Sequence, residues 1–509
     1  MSNLSFLSSF LVPIIATVIF TISLIKRLIF TLSNTTQKNL PPSPRRLPIL
    51  GNLHQLGLYP YRTLQQLAQH HGPLMLVHFG SRPVLVVSSA DAAREIMKTH
   101  DVVFSNRPKL SMAHKLLYQA RDISTAPYGE YWRQMRSICM LHLLSPKRVH
   151  SFRSVREEEA ALMVELIKRQ CFELSLPVNL SEMFSSYTND VICRVVFGRK
   201  YEGAKGGTRF KELLGDLMRL LGSVCVGDYI TWLSWVNYVN GTDRAVEKVA
   251  KAFDSFLDSV VEEHMEGFNY NNEGQDRKNF VDILLEIQEN TKMAGFSVSK
   301  DNIKAIILDM FAAGTDTTYT VLEWAMTELL KNPIILKKLQ SEVSEVANGK
   351  SDISEEDLEK MVYLKAIMKE TLRLYPPIPL LVPRESTQDI KIKGFDIAAG
   401  TMVMTNAWAI GRDTTLWDQP DLFQPERFID SEVDFKAGSD HFQLIPFGAG
   451  RRGCPGILFA MVSNELVLAK LVHKFDWTLL PGVDDLDMRE CVGLTIHREV
   501  PLIAIATPK

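Results

Sequence analysis

Apolar and polar positions divide the chain into an apolar head, a proline-rich neck and a long body of mixed periodicity. Residues 4–25 carry no charged side chain. As a helix rising about 1.5 Å per residue they span roughly 33 Å, enough to cross a bilayer. Lys26 and Arg27 follow directly, which favours an uncleaved anchor over a signal peptide, whose apolar run is shorter and ends in small residues. Lys26, Arg27, Lys38, Arg45 and Arg46 all lie after the span and no acidic residue precedes Asp91, so the positive-inside rule puts the body in the cytosol and the N-terminus in the lumen. A buried core helix competes weakly, because such a helix rarely runs this long without a polar face. Pro41, Pro42, Pro44 and Pro48, with Gly51, resist helix. The chain therefore divides into an anchor over 1–30, a semi-rigid hinge over 31–60 and a single body over 61–509.

Within the body, Leu74 to Phe79 and Pro83 to Ser88, split by Gly80-Ser81-Arg82, predict a short hairpin, and 390–405 offers more strand. Most of the rest has helical period, with polar breaks at 267–279 and 348–351 and no internal repeat. Ser299 to Asn332, before Pro333, predicts one helix of roughly 50 Å. The pattern as a whole predicts a mainly α protein with small β-sheets.

Composition mostly removes alternatives. Hydrophobic residues at 46% and charged residues at 23% exclude a disordered chain. A length of 509 residues allows either several domains or one large core. Basic and acidic residues number 57 and 59, so nothing here suits phosphate-dominated nucleic-acid binding. The six cysteines, Cys139, Cys171, Cys193, Cys225, Cys454 and Cys491, form no CxxC pair, and neither a zinc module nor a disulfide framework is suggested.

Chemistry concentrates in Phe447-Gly448-Ala449-Gly450-Arg451-Arg452-Gly453-Cys454-Pro455-Gly456, ahead of the apolar run 457–475. Glycines permit a tight bend and Pro455 suits a first helical turn, so Cys454 is expected at a helix N-terminus, where the dipole favours a thiolate. One thiolate with no second cysteine nearby cannot build a tetrahedral zinc site. It suits one axial bond to heme iron, with a nucleophilic cysteine or a buried thiol as the other readings. A second anomaly sits mid-helix at Phe311-Ala312-Ala313-Gly314-Thr315-Asp316-Thr317-Thr318, where a glycine and a carboxylate break helix-core rules together. Small residues there open a groove for a flat cofactor, while Asp316 and Thr317 can direct hydrogen bonds toward dioxygen or water. In the bland alternative the threonines only bond back to the helix. Glu370 and Arg373, at i and i+3, would in isolation be ordinary surface charges.

Together these residues resemble the cytochrome P-450 superfamily. Phe447, Gly450, Arg452, Cys454 and Gly456 match F-x-x-G-x-R-x-C-x-G, and Ala313 to Thr318 match its A/G-G-x-D/E-T-T/S motif. Glu370 with Arg373 matches E-x-x-R, Pro425 to Phe428 match P-E-R-F, and Trp132 with Arg136 matches W-x-x-x-R. The wording of Pro41 to Pro44, of Leu47 to Asn52 and of the cysteine loop is similar to the plant microsomal clan that includes psoralen-synthase-like enzymes.

The resemblance implies a cytochrome P-450 fold holding heme b (iron protoporphyrin IX). In that frame Cys454 is the axial iron ligand, Phe447 packs beside the sulfur, and Arg452, Trp132, Arg136 and Arg384 donate to heme propionates. Thr317 and Asp316 serve oxygen activation and proton delivery. Glu370, Arg373 and Arg427 form a buried structural network. The substrate pocket draws on 105–125, 310–313, 378–382 and 494–495, with Phe311, Ala313, Leu380, Leu381 and Thr495 as its named walls. The implied activity is that of a monooxygenase on the endoplasmic reticulum membrane, single-pass and facing the cytosol, which oxidises a small apolar plant metabolite with O2. Its electrons come from NADPH-cytochrome P-450 reductase, with cytochrome b5 as a further donor, and Arg133, Lys147 and Arg451 are candidate docking cations. No dinucleotide fingerprint is present for NADPH itself. A heme-thiolate isomerase or dehydratase and a heme sensor are the alternatives; neither needs the Asp316-Thr317 pair.

Overall fold

The computed structural model of the protein describes residues 17–23, 38–172, 176–201, 207–267, 278–291, 298–436, 438–483 and 485–509. The apolar run expected to be an anchor lies largely outside the described residues; of it only 17–23 is described, as helix with exposed side chains. Among the described residues no helix is long and apolar enough to cross a membrane. The polar break at 267–279 also falls mostly outside them, whereas the one at 348–351 is seen as a left-handed turn at Asn348 and Gly349.

Among the described residues the body is helical with three small sheets. Strands β1 (Leu74–Phe79) and β2 (Arg82–Val87) form the expected hairpin, with β2 beginning one residue early. They share a sheet with two later strands: β3 (Val178–Asn179) lies elsewhere, but β4 (Arg384–Glu385) and, after the hairpin β5 (Ile390–Ile392) and β6 (Phe395–Ile397), β7 (Met402–Thr405) complete the order β1-β2-β7-β4. The last two strands, β8 (Phe475–Thr478) and β9 (Ile503–Pro508), form an antiparallel sheet with β3, β9 in the middle. The neck packs on the body: the Pro42 carbonyl accepts the Leu76 N–H at 2.9 Å and Asn39 N–H donates to Asp396 at 2.8 Å.

One helix, Lys300–Lys331, organises the interior. Ser299 and Asn302 form a reciprocal capping box at its start, and it stops at Asn332, where Pro333 opens the next helix. Most of its side chains are buried on all sides, as expected of a helix through the middle of a large core. It packs most extensively on Leu180–Phe197 and also on Val362–Leu374 and Ile457–Lys474. Gly314 makes the first of these contacts close: a Cβ there would stand 2.8 Å from Ile192 Cδ1.

Candidate functional site

The cysteine loop is bent by backbone that few residues other than glycine adopt. Gly448 and Gly450 lie at φ of 64° and 68°. Gly450 has a second constraint, because a Cβ would meet the Met97 carbonyl at 2.1 Å. The loop closes on itself through the Cys454 N–H, which donates to the Phe447 carbonyl at 2.9 Å. The helix behind it begins only at Ile457, so Cys454 stands ahead of the first turn and not within it. One backbone N–H, that of Gly456, reaches Sγ, at 3.4 Å. The thiol faces a cavity yet lies deep in the protein, and burial raises its pKa more than Gly456 and Arg136 lower it. The helix end lies two residues beyond Cys454, at the N-cap Gly456, and of the influences on the sulfur burial is the largest and opposes ionisation.

The cavity, of about 260 Å³, lies between the cysteine loop and the long helix. Four guanidinium groups line it: Arg107, Arg136, Arg384 and Arg452. Arg136 donates to the Gly453 carbonyl at 2.7 Å, and Arg384 donates to Asp101 at 2.9 Å from its seat on β4. Arg452 donates to the carbonyls of Ser105 and Ile123, at 2.7 and 3.1 Å, and to that of Ala126. Trp132 lies behind the cavity wall. Its single N–H donates to the Ile123 carbonyl at 2.9 Å, and its ring supports Arg452 from 4.2 Å. The expectation that Trp132 donates into the site is thus corrected, since an indole has no second donor. Arg107 was not singled out from the sequence; it donates to Ser124, Val382 and Pro383 carbonyls at 2.8, 2.6 and 2.7 Å.

Burial pushes the pKa values of all four cations down, and repulsion from neighbouring arginines adds to it at Arg107, Arg384 and Arg452, taking Arg452 to about 9 and Arg107 well below the arginine range. Such a wall calls for anions. A lone thiol at one side, the guanidiniums of buried Arg107, Arg384 and Arg452 with that of partly buried Arg136, and Ala313 opposite fit a flat, dianionic, metal-bearing ring. Among the described residues no cluster of three His, Cys, Asp or Glu offers a rival metal site.

On the long helix, Asp309, Ala313 and Thr317 face the cavity one turn apart. Thr317 Oγ1 donates to the Ala313 carbonyl at 2.6 Å, leaving its lone pairs as acceptors. Asp316 does not line the cavity; its carboxylate is held by the Thr495 hydroxyl. Of the named pocket walls, Ala313 and Leu381 line the cavity and three do not. Phe311 is turned into the core against Phe197, Leu380 packs with Met402 and Trp408 outside the wall, and Thr495 is occupied by Asp316. For Phe311 the reason is helical geometry, since it stands two residues from Ala313 and so on another face; Leu380 and Thr495 lie in a turn and a bend, outside helix and strand. Asp309 was missed. Its Oδ2 accepts the N–H groups of Ile123 and Ser124 at 2.7 and 3.1 Å, and burial beside Asp122 pushes its pKa up to about 8.

Away from the cavity, Arg373 donates to both oxygens of Glu370 at 2.6 and 2.8 Å, and Arg427 adds a bond at 3.2 Å. Glu370 and Arg373 are fully buried, and the remaining Arg373 donors reach the carbonyls of Gly411, Pro420 and Leu422. Arg133 and Lys147 are exposed, while Arg451 is paired with Asp101 at 2.9 Å.

A family model described as Cytochrome P450 matches residues 41–502. Cytochrome P450 736A117 of Prunus mume is 56% identical over 98% of this chain and 97% of its own length. Norfluorocurarine oxidase of a Strychnos species is 51% identical over 97% and 96%. A solved zebrafish cytochrome P450 with abiraterone superposes with a TM-score of 0.75 at 24% identity, over 89% of this chain and all of the other.

Proposed function

The chain belongs to the cytochrome P450 family, and from that premise we propose that it oxidises a small apolar plant specialised metabolite, such as a terpenoid, coumarin or alkaloid, at the endoplasmic reticulum membrane. It is a P450 monooxygenase whose cofactor is heme. Bound heme supplies the activation of O2 and the transfer of one oxygen atom to substrate. Cys454 would hold the iron as thiolate, with Phe447 beside the sulfur, and Arg107, Arg136, Arg384 and Arg452 would receive the propionates. Thr317 accepts and passes a proton at Oγ1. Asp316, held by Thr495 on the far side of the helix turn, reaches that hydroxyl only through rearrangement or water. Ile123, Leu144, Val195, Met310 and Leu381 make the remaining wall mostly apolar, which excludes water and favours an apolar guest. The relative named as norfluorocurarine oxidase supports oxidation as the reaction class.

The observation that carries this reading is a single cysteine thiol at the edge of a cavity lined by four arginines, three of them buried and Arg136 partly so. Its test is the carbon monoxide difference spectrum of the dithionite-reduced protein in membranes, beside Cys454→Ala. A strongly red-shifted Soret band that the variant loses is the expected result; its absence in heme-replete protein overturns the ligand assignment. With reductase added, NADPH consumption separates a monooxygenase from an isomerase or sensor. Charge reversal at Arg133 and Lys147 should slow first-electron transfer several-fold at low salt and little at high salt. Stopped-flow reduction that is unchanged at low salt would discard those two as docking cations.

A further inference from the structure

Asp101 lies outside every motif the sequence analysis used, yet it joins the two halves of the site. It is buried, and its side chain meets the cysteine loop and the arginine wall at once. Oδ1 accepts from Arg384 Nη1 at 2.9 Å and from the Ser105 hydroxyl at 3.3 Å. Oδ2 accepts the backbone N–H of Arg451 at 3.0 Å and its guanidinium at 2.9 Å. The Ser105 hydroxyl also donates to the Asp101 carbonyl at 2.6 Å, while the Ser105 carbonyl receives Arg452 Nε at 2.7 Å. The fit is close enough that a Cβ on Gly450 would stand 2.6 Å from Asp101 Oδ1.

Three consequences follow. The Arg451 N–H belongs to the turn Gly450–Arg452, immediately before Gly453 and Cys454, so the carboxylate fixes the backbone from which the thiol projects. Arg384 is held at the cavity edge by the same group. Asp101 is also a counter-charge felt by Arg136, Arg384 and Arg452, whose burial together would otherwise be costly. Truncating one partner of such a buried pair leaves the other unpaired, which costs more than the pair contributes.

We propose that Asp101 is a positioning residue for the heme site: one carboxylate that keys the cysteine loop to the arginine wall and thereby sets how tightly heme is held and how readily its iron is reduced. The proposal rests on heme ligation by Cys454, which the carbon monoxide spectrum of the unaltered protein tests by itself.

The experiment compares purified holoenzyme with Asp101→Asn and Asp101→Glu. Asn keeps the size and removes the charge; Glu keeps the charge. Two readouts other than activity apply, the rate of heme transfer to apomyoglobin and the midpoint potential of the ferric-ferrous couple. For Asp101→Asn, transfer should accelerate at least tenfold and the potential should rise, because a nearby negative charge favours the ferric state and its loss favours the ferrous. Asp101→Glu should restore most of the potential. Transfer within twofold of the unaltered protein and an unmoved potential in Asp101→Asn overturn the proposal. If Asp101→Asn holds no heme, Asp101→Glu decides: recovery of the red-shifted carbon monoxide band supports the carboxylate's role, and failure to recover it overturns it. A missing band in the unaltered protein would instead refute the heme-thiolate reading.

Discussion

At the scale of single residues, the site depends on charges kept where charges are expensive. Asp309 is the clearest case. Its carboxyl faces the cavity and is surrounded by Asp122 from the loop it holds, by Arg107 on the wall and by the buried thiol of Cys139. With its pKa raised from 3.8 to about 8, the folded state keeps a proton that the unfolded chain releases. Its contribution to stability is therefore full below the ordinary carboxyl range and is lost as pH rises toward about 8, by up to about 1.4 kcal/mol per pH unit. Asp309→Asn should match the native protein in acid and become the more stable of the two toward pH 8. Melting curves of both holoproteins across that range check this, and a difference that does not grow with pH would refute it. Asp309 was legible only as one carboxylate in an apolar run, and Arg107 gave no signal, because neither belongs to a spaced motif. Cys454, Arg452 and Thr317 were legible because glycine, cysteine and threonine break local rules together. What the sequence could not carry was direction: helical neighbours of Thr317 and Ala313, namely Asp316 and Phe311, point elsewhere.

At the scale of elements, the same limit appears as burial. The spacing of Glu370 and Arg373 is that of an exposed helix pair, and residue spacing alone says nothing of depth. What buries them is a segment some 40 to 50 residues later in the chain, whose carbonyls at Gly411, Pro420 and Leu422 arrive to take the Arg373 donors. Only the likeness to a known motif indicated a network. Because Glu370 also accepts the Gln424 N–H at 2.7 Å and Arg427 at 3.2 Å, its charge is fully engaged. Glu370→Gln leaves two guanidiniums short of an anion and should cost about 3–5 kcal/mol, as breaking one side of a buried pair does. Urea unfolding of the holoprotein reads this, and a loss under about 1 kcal/mol would place the pair among ordinary surface bridges. The long helix was more legible than the network, since its limits depend on local chemistry: the Ser299 cap and Pro333.

At the scale of the whole molecule, the proposed membrane setting raises the question of which face of the body would meet lipid. Trp232, Trp235, Tyr238 and Val239 each expose more than half of their surface, and Leu47, Ile49 and Leu50 are also exposed. The two segments adjoin through the turn of the β1-β2 hairpin, where Gly80 N–H donates to the Leu50 carbonyl and Ser81 N–H to that of Tyr229, both at 3.1 Å. Apolar side chains rimmed by tryptophan and tyrosine suit the boundary between headgroups and acyl chains, where one end of the ring is dry and the other wet. Residues 38–60 of the segment expected to be a hinge pack in part on the body, and Leu47, Ile49 and Leu50 join this face. A chain beginning at Lys38 should still bind vesicles of neutral phospholipid, with a blue shift in tryptophan emission. Trp232→Ser with Trp235→Ser should weaken that binding at least tenfold without moving the carbon monoxide spectrum. Cosedimentation with vesicles decides it: if the shortened chain stays in solution, attachment belongs to the apolar head alone and the aromatic face has another use; if it sediments and the double variant does not, the body holds its own orientation on the lipid.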